Sequence, residues 1–272
     1  MKISVAVITH NEADRIGPCL ESVLFADEIV VVDAASNDDT PKIAGQYPCR
    51  VIHQPWQGFS RQKQFAVNQC RNDWVLILDA DERVSVELAE EIDHRNPPSV
   101  ETTAFQVSRK NFFHGRWIRH CGWWPETVLR LVHQKRGLFD GRLVHEGWQT
   151  NGTISLLTHP ILHHSFNSYA DLLTKMQRYS NLAAHQMDLE KRPVHWWTPI
   201  THSFWMFLKT YCIQRGFLDG FDGFMISLSA AGGSFMKYAK LLEIKRFGVT
   251  YNVGFDSEHS VAPLDHNSET GH

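Results

Sequence analysis

The chain lacks several things. Its five cysteines, at positions 19, 49, 70, 121 and 212, include no CxxC pair. An odd, scattered set disfavours a disulfide framework or a zinc knuckle and suits a reducing compartment. No stretch reaches the roughly 18 uninterrupted apolar residues needed to span a bilayer. The N-terminal MKISVAVITHNE has only a short apolar run, broken by His10-Asn11-Glu12. It reads as a buried strand rather than a signal peptide. An excess of one charge is also missing. The formal net charge is −3 with 21% charged residues, which excludes a polyelectrolyte and a globally basic nucleic-acid binder. There is no GxxxxGK[ST], GxSxG or HExxH, and no GxGxxG after the first strand. A nicotinamide-dependent oxidoreductase is therefore disfavoured.

What is present is enough apolar sequence for one sizeable core, 43% of 272 residues. Over residues 1–95 two periods alternate. Buried strands are expected at 3–8, 28–32 and 74–78 and a short strand at 50–53, with helices at 12–25, 61–70 and 86–94 and a helix start at Asp39-Thr40-Pro41. Strand–helix alternation predicts a mostly parallel, doubly wound α/β sheet, with ligands beyond the carboxyl ends of its strands. After Asn96-Pro97-Pro98 the pattern changes to mixed strands, over Thr102 to Ser108 and Thr127 to Val132, with long loops rich in Trp, Phe, Gly and His. From 166 the chain turns helical, with a long helix expected over Tyr169 to Glu190. The division expected is 1–165 for a catalytic unit (1–95 and 96–165), 166–250 for a helical extension, and 251–272 for a disordered tail.

Four polar motifs fall at strand or helix ends of the first half: Thr9-His10-Asn11-Glu12, Asp33 through Thr40, Arg61-Gln62-Lys63, and Asp79-Ala80-Asp81. A parallel sheet brings such ends to one edge. Asp79 and Asp81 are two apart, so both carboxylates can share a hard cation while Ala80 points elsewhere. With diphosphate oxygens and waters they complete an octahedral Mg²⁺ or Mn²⁺ site. Asp33 suits a base or ribose, and Lys63 or Arg61 suits phosphate. Ordinary roles stand beside these: Asp33, Asn11 and Glu12 as caps, and Arg61 and Lys63 as a solvated helix face. For His159, His163 and His164 a structural role is favoured over a metal site.

Together VAVITHNE, IVVVDAASNDDT, RQKQFAVNQC and WVLILDADERV resemble the family 2 glycosyltransferases of GT-A fold. A lone DxD is weak; four motifs in order are specific. Ala34-Ala35 departs from the small Ser-Gly pair usual after the second Asp. The segments GWWPE at 122–126, Arg130-Leu131, Val144-His145-Glu146 and RGFLDG at 215–220 are similar to the lipopolysaccharide core β-1,4-glucosyltransferase subgroup. That likeness covers about residues 1–247. It implies an inverting, metal-dependent transfer of a hexose, glucose in that subgroup, from a UDP-sugar to a lipid-linked inner-core glycan, with no nucleic-acid partner. It also implies a place on the cytoplasmic face of the inner membrane. Such a transfer needs a base outside the metal pair. Glu146 is the first candidate and Glu126 the second. Trp123 and Trp124 suit sugar stacking. Arg130 and His145 are candidates for diphosphate or acceptor contact. A catalytically silent nucleotide-sugar or membrane-docking module of the same fold is the alternative.

Residues 191–247 hold 8 Lys/Arg against 3 Asp/Glu, interleaved with Trp196, Trp197, Phe204, Trp205 and Phe221. Two readings stand: a helical pair packed on the catalytic unit, or a membrane-lying surface with aromatics at headgroup level.

Overall fold

The computed structural model describes residues 1–94, 99–140 and 147–251. The expected linker at 96–98, the base candidate Glu146 with His145, and the tail after 251 lie outside them. In chain order the elements are β1 (Ile3–Thr9), α1 (Ala13–Glu21), β2 (Glu28–Asp33), α2 (Thr40–Ala44), β3 (Arg50–His53), α3 (Phe59–Asn68), β4 (Trp74–Asp79), β5 (Glu82–Val84) and α4 (Val86–Asp93). Next come β6 (Thr102–Phe113), β7 (Arg116–Trp117), β8 (Glu126–His133), β9 (Gly137–Phe139), β10 (Trp148–Thr150), β11 (Thr153–Leu156) and β12 (Ile161–Phe166). The chain then forms α5 (Tyr169–Leu189), α6 (Thr198–Phe207), a π-helical turn (Leu208–Ile213) and α7 (Gly220–Phe247).

Strands β3, β2, β1 and β4 lie side by side, all parallel. Every residue of β1 is buried, as a strand covered on both faces requires. Side-chain alternation divides the core in two. Val5, Val7, Val31 and Leu76 face Ile16 and Leu20 of α1. Ala6, Ile8, Val32 and Ile77 face Ala66 and Val67 of α3. The sheet continues through β8, antiparallel to both β4 and β6, then β12 and finally β5. Only two residues separate the end of β4 from β5. Three residue steps span at most about 10 Å. The far end of the strand order therefore returns beside β4, and the sheet curls with the Asp79–Asp81 corner at its seam. Strands β9 and β10 form a separate small pair. The fold is thus the expected mixed α/β sheet with C-terminal helices.

Two helices differ from their expected spans. The first, expected over 12–25, ends at Glu21. Ser22 Oγ donates to Cys19 O at 2.7 Å and accepts from Val84 N at 3.0 Å, which ties the helix end to β5. Leu24, which lies past the helix end, is 50% exposed. Helix α3 begins two residues earlier than expected, at Phe59, because Gly58 at φ 93° turns the chain into it.

The C-terminal helices pack through small residues. Gly223 of α7 lies so close to the preceding turn that a Cβ there would meet Gly216 O at 1.9 Å. Lys240 of α7 is 2% exposed and donates to Ser180 Oγ on α5 at 2.6 Å. Burial pushes its ammonium down to about 8. No helix among the described residues is long and apolar enough to cross a membrane.

Candidate active site

The strand register assembles the site. Thr9 pairs with Asp33 across β1–β2, and Ile8 pairs with Asp79 across β1–β4. The three motif-bearing strands thus end level, at one edge of the sheet. A cavity of 370 Å³ opens there, bounded by Thr9, Glu12, Asp79, Ala80, Asp81, Trp123 and Glu126 from the sequence-based candidates. Arg109, Asn111, His163, Lys175 and Arg178 complete its polar wall.

The acidic pair has divided partners. Asp79 faces Lys63 Nζ at 3.2 Å and Arg130 Nη2 at 2.8 Å. Asp81 Oδ2 faces Lys175 Nζ at 3.2 Å and His163 Nε2 at 3.3 Å. Burial alone would raise both carboxyls, but these cations outweigh it and hold both well below the usual carboxylate range. Each stays ionised at neutral pH. Glu12 goes the other way: burial and the Asp81 charge raise its carboxyl, against the pull of Arg15.

Glu126 starts β8. It accepts from Arg109 at 2.7 Å and from Asn111 Nδ2 at 2.9 Å. Burial would raise its carboxyl, and Arg109 brings it below the ordinary value. Two chains of contacts link it to the acidic pair. One runs through Arg109, the fully buried Glu82 and Arg130 to Asp79. The other runs through Asn111 and His163 Nδ1, which meets Asn111 Oδ1 at 2.6 Å, to Asp81. The three carboxylates are thereby fixed relative to one another before any ligand arrives.

Other candidates sit elsewhere. Asp33 is buried behind the cavity wall, where its carboxylate accepts from Ser36 N at 3.1 Å and meets His53 Nδ1 at 3.1 Å. Asn11, at φ 52°, accepts from Asn37 N at 2.9 Å and borders an adjoining hollow that shares Glu12 and Lys175. Arg61 is exposed on α3, two residues before the buried Lys63 and so on the opposite side of the helix. Trp124 lies edge-on against Trp117 in a different hollow, while Trp123 stacks on Phe166 at the cavity wall. Arg130 is 6% exposed and behind Asp79, a buried ion-pair partner rather than a group on the cavity wall.

Sequence reasoning gave His163 a structural role and missed the α5 contribution. His163 and Ser165 are two apart on β12 and both face the cavity; alternation pairs them but does not say which face is functional. Lys175, Arg178 and Tyr179 have i, i+3, i+4 spacing on one face of α5.

No group of three or more His, Cys, Asp or Glu side chains that could hold a metal occurs among the described residues. Of the expected pair Asp79 and Asp81, Asp79 is engaged by Lys63 and Arg130, and Asp81 has His163 beside it, so Asp81 with His163 offers two protein ligands. That suits a divalent ion that takes its remaining ligands from a bound diphosphate and water. Thr9 Oγ1, on the cavity wall, is buried without a hydrogen-bond partner among the described residues, so a polar ligand atom has a partner waiting.

An α/β sheet ending in a level row of polar motifs, with an acidic corner at its seam, has the architecture of a GT-A glycosyltransferase. The model for glycosyl transferase family 2 matches residues 4–152, and the chain belongs to that family. It is 31% identical over 256 residues to the lipopolysaccharide core biosynthesis glycosyltransferase LpsC of Rhizobium meliloti, spanning 89% of this chain and 93% of that protein. An uncharacterized glycosyltransferase of Rickettsia felis is 34% identical over 255 residues, 89% of this chain and 90% of the relative. Among solved structures, the mannosyltransferase PcManGT of Pyrobaculum calidifontis, in complex with GDP-Man and Mn²⁺, superposes with a TM-score of 0.50 at 15% identity. It covers 89% of this chain and 87% of that one, a likeness of fold.

Proposed function

We propose that this glycosyltransferase is an inverting, metal-dependent enzyme. It moves a hexose, glucose by the subgroup resemblance, from a UDP-sugar to a lipopolysaccharide inner-core or related lipid-linked glycan. The observation that carries this reading is the single cavity in which Asp79, Asp81, His163 and Glu126 meet at the level ends of β1 and β4. The length of the LpsC match supports the acceptor class.

Asp81 and His163 would hold the Mg²⁺ or Mn²⁺, which supplies charge compensation for a departing diphosphate. Asp79, kept by Lys63 and Arg130, shapes the corner. Lys175 and Arg178 bring positive charge from α5 to the same wall and suit the phosphates. Trp123, half-buried on the wall, offers a ring face to a sugar. Glu126 is the described carboxylate on the acceptor side and takes the role of base: it is ionised, anchored by Arg109 and Asn111, and clear of the metal ligands. A hexose hydroxyl held against it loses its proton to Oε as the new glycosidic bond forms.

Glu126→Gln keeps the side-chain shape and one of the two oxygens that accept from Arg109 and Asn111, and removes the proton acceptor. Turnover is expected to drop at least about 100-fold with donor affinity kept. If Glu146→Gln alone does this, the base belongs to the loop and not to β8. The reading as a whole is tested by a donor screen against membrane extracts bearing truncated glycolipid, with and without chelator. Binding of UDP-sugar without turnover on any acceptor would mark a silent module.

The exposed Trp196, Phe204, Trp205 and Phe221, between 56% and 66% exposed, support a resting place on the cytoplasmic face of the inner membrane. Amphipathic aromatics sit at headgroup depth, with the nearby lysines and arginines toward anionic lipid. Sedimentation with vesicles containing anionic phospholipid is the expected outcome. A protein left wholly in the supernatant removes this part of the reading.

A further inference from the structure

Beside the candidate active site a second hollow, of 360 Å³, opens between the segment 119–125 and the end of the π-helical turn. Gly122 borders both hollows. Among the described residues no acid is on the wall of the second one, yet Arg119, His120 and Arg215 are.

The two guanidiniums are held without carboxylates. Arg119 lies over the Trp117 ring, 4.5 Å from its centroid, and Trp124 braces that ring edge-on at 5.2 Å. Stacking occupies the flat face of a guanidinium and leaves its N–H edges facing outward. The Arg215 backbone is engaged, N donating to Cys212 O and O accepting from Leu218 N, while its guanidinium makes no hydrogen bond or ion pair among the described residues. The acid nearest in sequence, Asp219, is 3% exposed and turned inward, accepting from His120 N at 2.8 Å and meeting His120 Nδ1 at 3.1 Å. It is taken up by His120, and neither arginine has a carboxylate partner among the described residues.

The backbone fixes the walls. Cys121 and Arg215 both have left-handed φ, 60° and 57°. Cys121 N donates to Gln214 O at 3.1 Å, and a Cβ on Gly122 would meet the Gln214 side chain at 2.6 Å. The two segments are locked face to face, so main chain fixes the backbone positions from which the two arginines project.

We propose that this hollow is an acceptor subsite for an anionic substituent, a phosphate or a carboxylate, on the saccharide whose reacting hydroxyl occupies the neighbouring cavity. This deepens the glycosyltransferase reading and rests on it. Guanidinium edges match the paired oxygens of either anion. A neutral acceptor leaves two positive charges unanswered, so the hollow selects charged glycans over neutral ones.

The test uses the full chain, with acceptor glycolipid taken untreated, after phosphatase, and after carboxyl amidation. Arg119→Gln and Arg215→Gln are each expected to raise the acceptor KM at least tenfold on the untreated glycan. The expected kcat stays within twofold, and UDP release to water without acceptor is unchanged. One of the two treatments brings the wild type to the variants' KM and identifies the anion. Equal KM for wild type and variants on untreated acceptor overturns the proposal. So does an undiminished difference on both treated forms. A second readout needs no transfer: calorimetric titration with inorganic phosphate, the donor site filled with UDP, is expected to show binding that Arg215→Gln weakens at least tenfold. Equal binding overturns the subsite even if the enzyme proves to use another reaction. Weaker sedimentation of the variants with anionic vesicles, at unchanged acceptor KM, gives the arginines to membrane lipid and likewise overturns it.

Discussion

Asp81→Asn is expected to cut UDP release by about 1000-fold or more while the protein stays folded. The carboxylate lines the cavity at the seam of the sheet and carries its charge between His163 and Lys175. An amide has nearly the same shape. It binds a hard divalent ion far more weakly than a carboxylate does. Losing several kcal/mol of charge stabilisation at the leaving diphosphate translates to the stated factor at about 1.36 kcal/mol per decade. Two controls separate this from a general insult. The residual rate of Asp81→Asn should be indifferent to chelator, whereas the wild-type rate should collapse with it. Asp79→Asn should instead show a lowered midpoint of unfolding, since it leaves the 4%-exposed Lys63 with a weakened partner. A wild-type-like, chelator-sensitive rate in Asp81→Asn would end the assignment of Asp81 to the metal.

The parallel half was legible because each of its strands is a continuous apolar run that stops at a polar motif. The run says the strand is covered on both faces, and the stop says where the edge lies. Nothing comparable marks His163. Its strand alternates, with Ile161 and Ser165 buried and the residues between half-buried, and a sequence does not say that β12 lies between β6 and β5. Arg130 failed in the opposite direction. An arginine on an apolar strand attracts a functional reading, but its partner Glu82 is 48 residues away. Only the curl that brings β5 back beside β4 shows that the pair is internal. The division into catalytic unit and helical extension also hid a contact: Lys175, Arg178 and Tyr179 of α5 form one wall of the cavity. Helical periodicity shows that the three share a face, while long-range packing decides what that face meets.

Arg130→Met is expected to lower the unfolding free energy by about 3–5 kcal/mol at pH 7, the range for removing one partner of a buried ion pair. The magnitude follows from what remains behind. Glu82 is fully buried, with Arg130 Nη2 at 2.6 Å and Arg109 Nη1 at 3.1 Å on the same oxygen, while its other oxygen accepts from Asp79 N at 3.1 Å. Methionine fills the volume of the arginine stem but leaves Glu82 with one cation shared with Glu126, and Asp79 with Lys63 alone. Adding Glu82→Gln should recover part of the loss, because replacing both charged partners is far milder than stranding one. The pH dependence has a fixed sign. The Asp79 carboxyl is depressed in the fold, so its contribution is present above its unfolded value near about 3.9 and is lost as pH falls through the folded value. Without Arg130 the depression shrinks. Wild type should therefore lose more stability than the variant below about pH 4, and the gap between them should narrow. Urea unfolding at pH 7 and again near about pH 3 measures both claims. A gap under about 1 kcal/mol at pH 7, the scale of an exposed pair, would show that Arg130 is solvated and that the internal ion-pair chain joining Glu126 to Asp79 does not hold the site together.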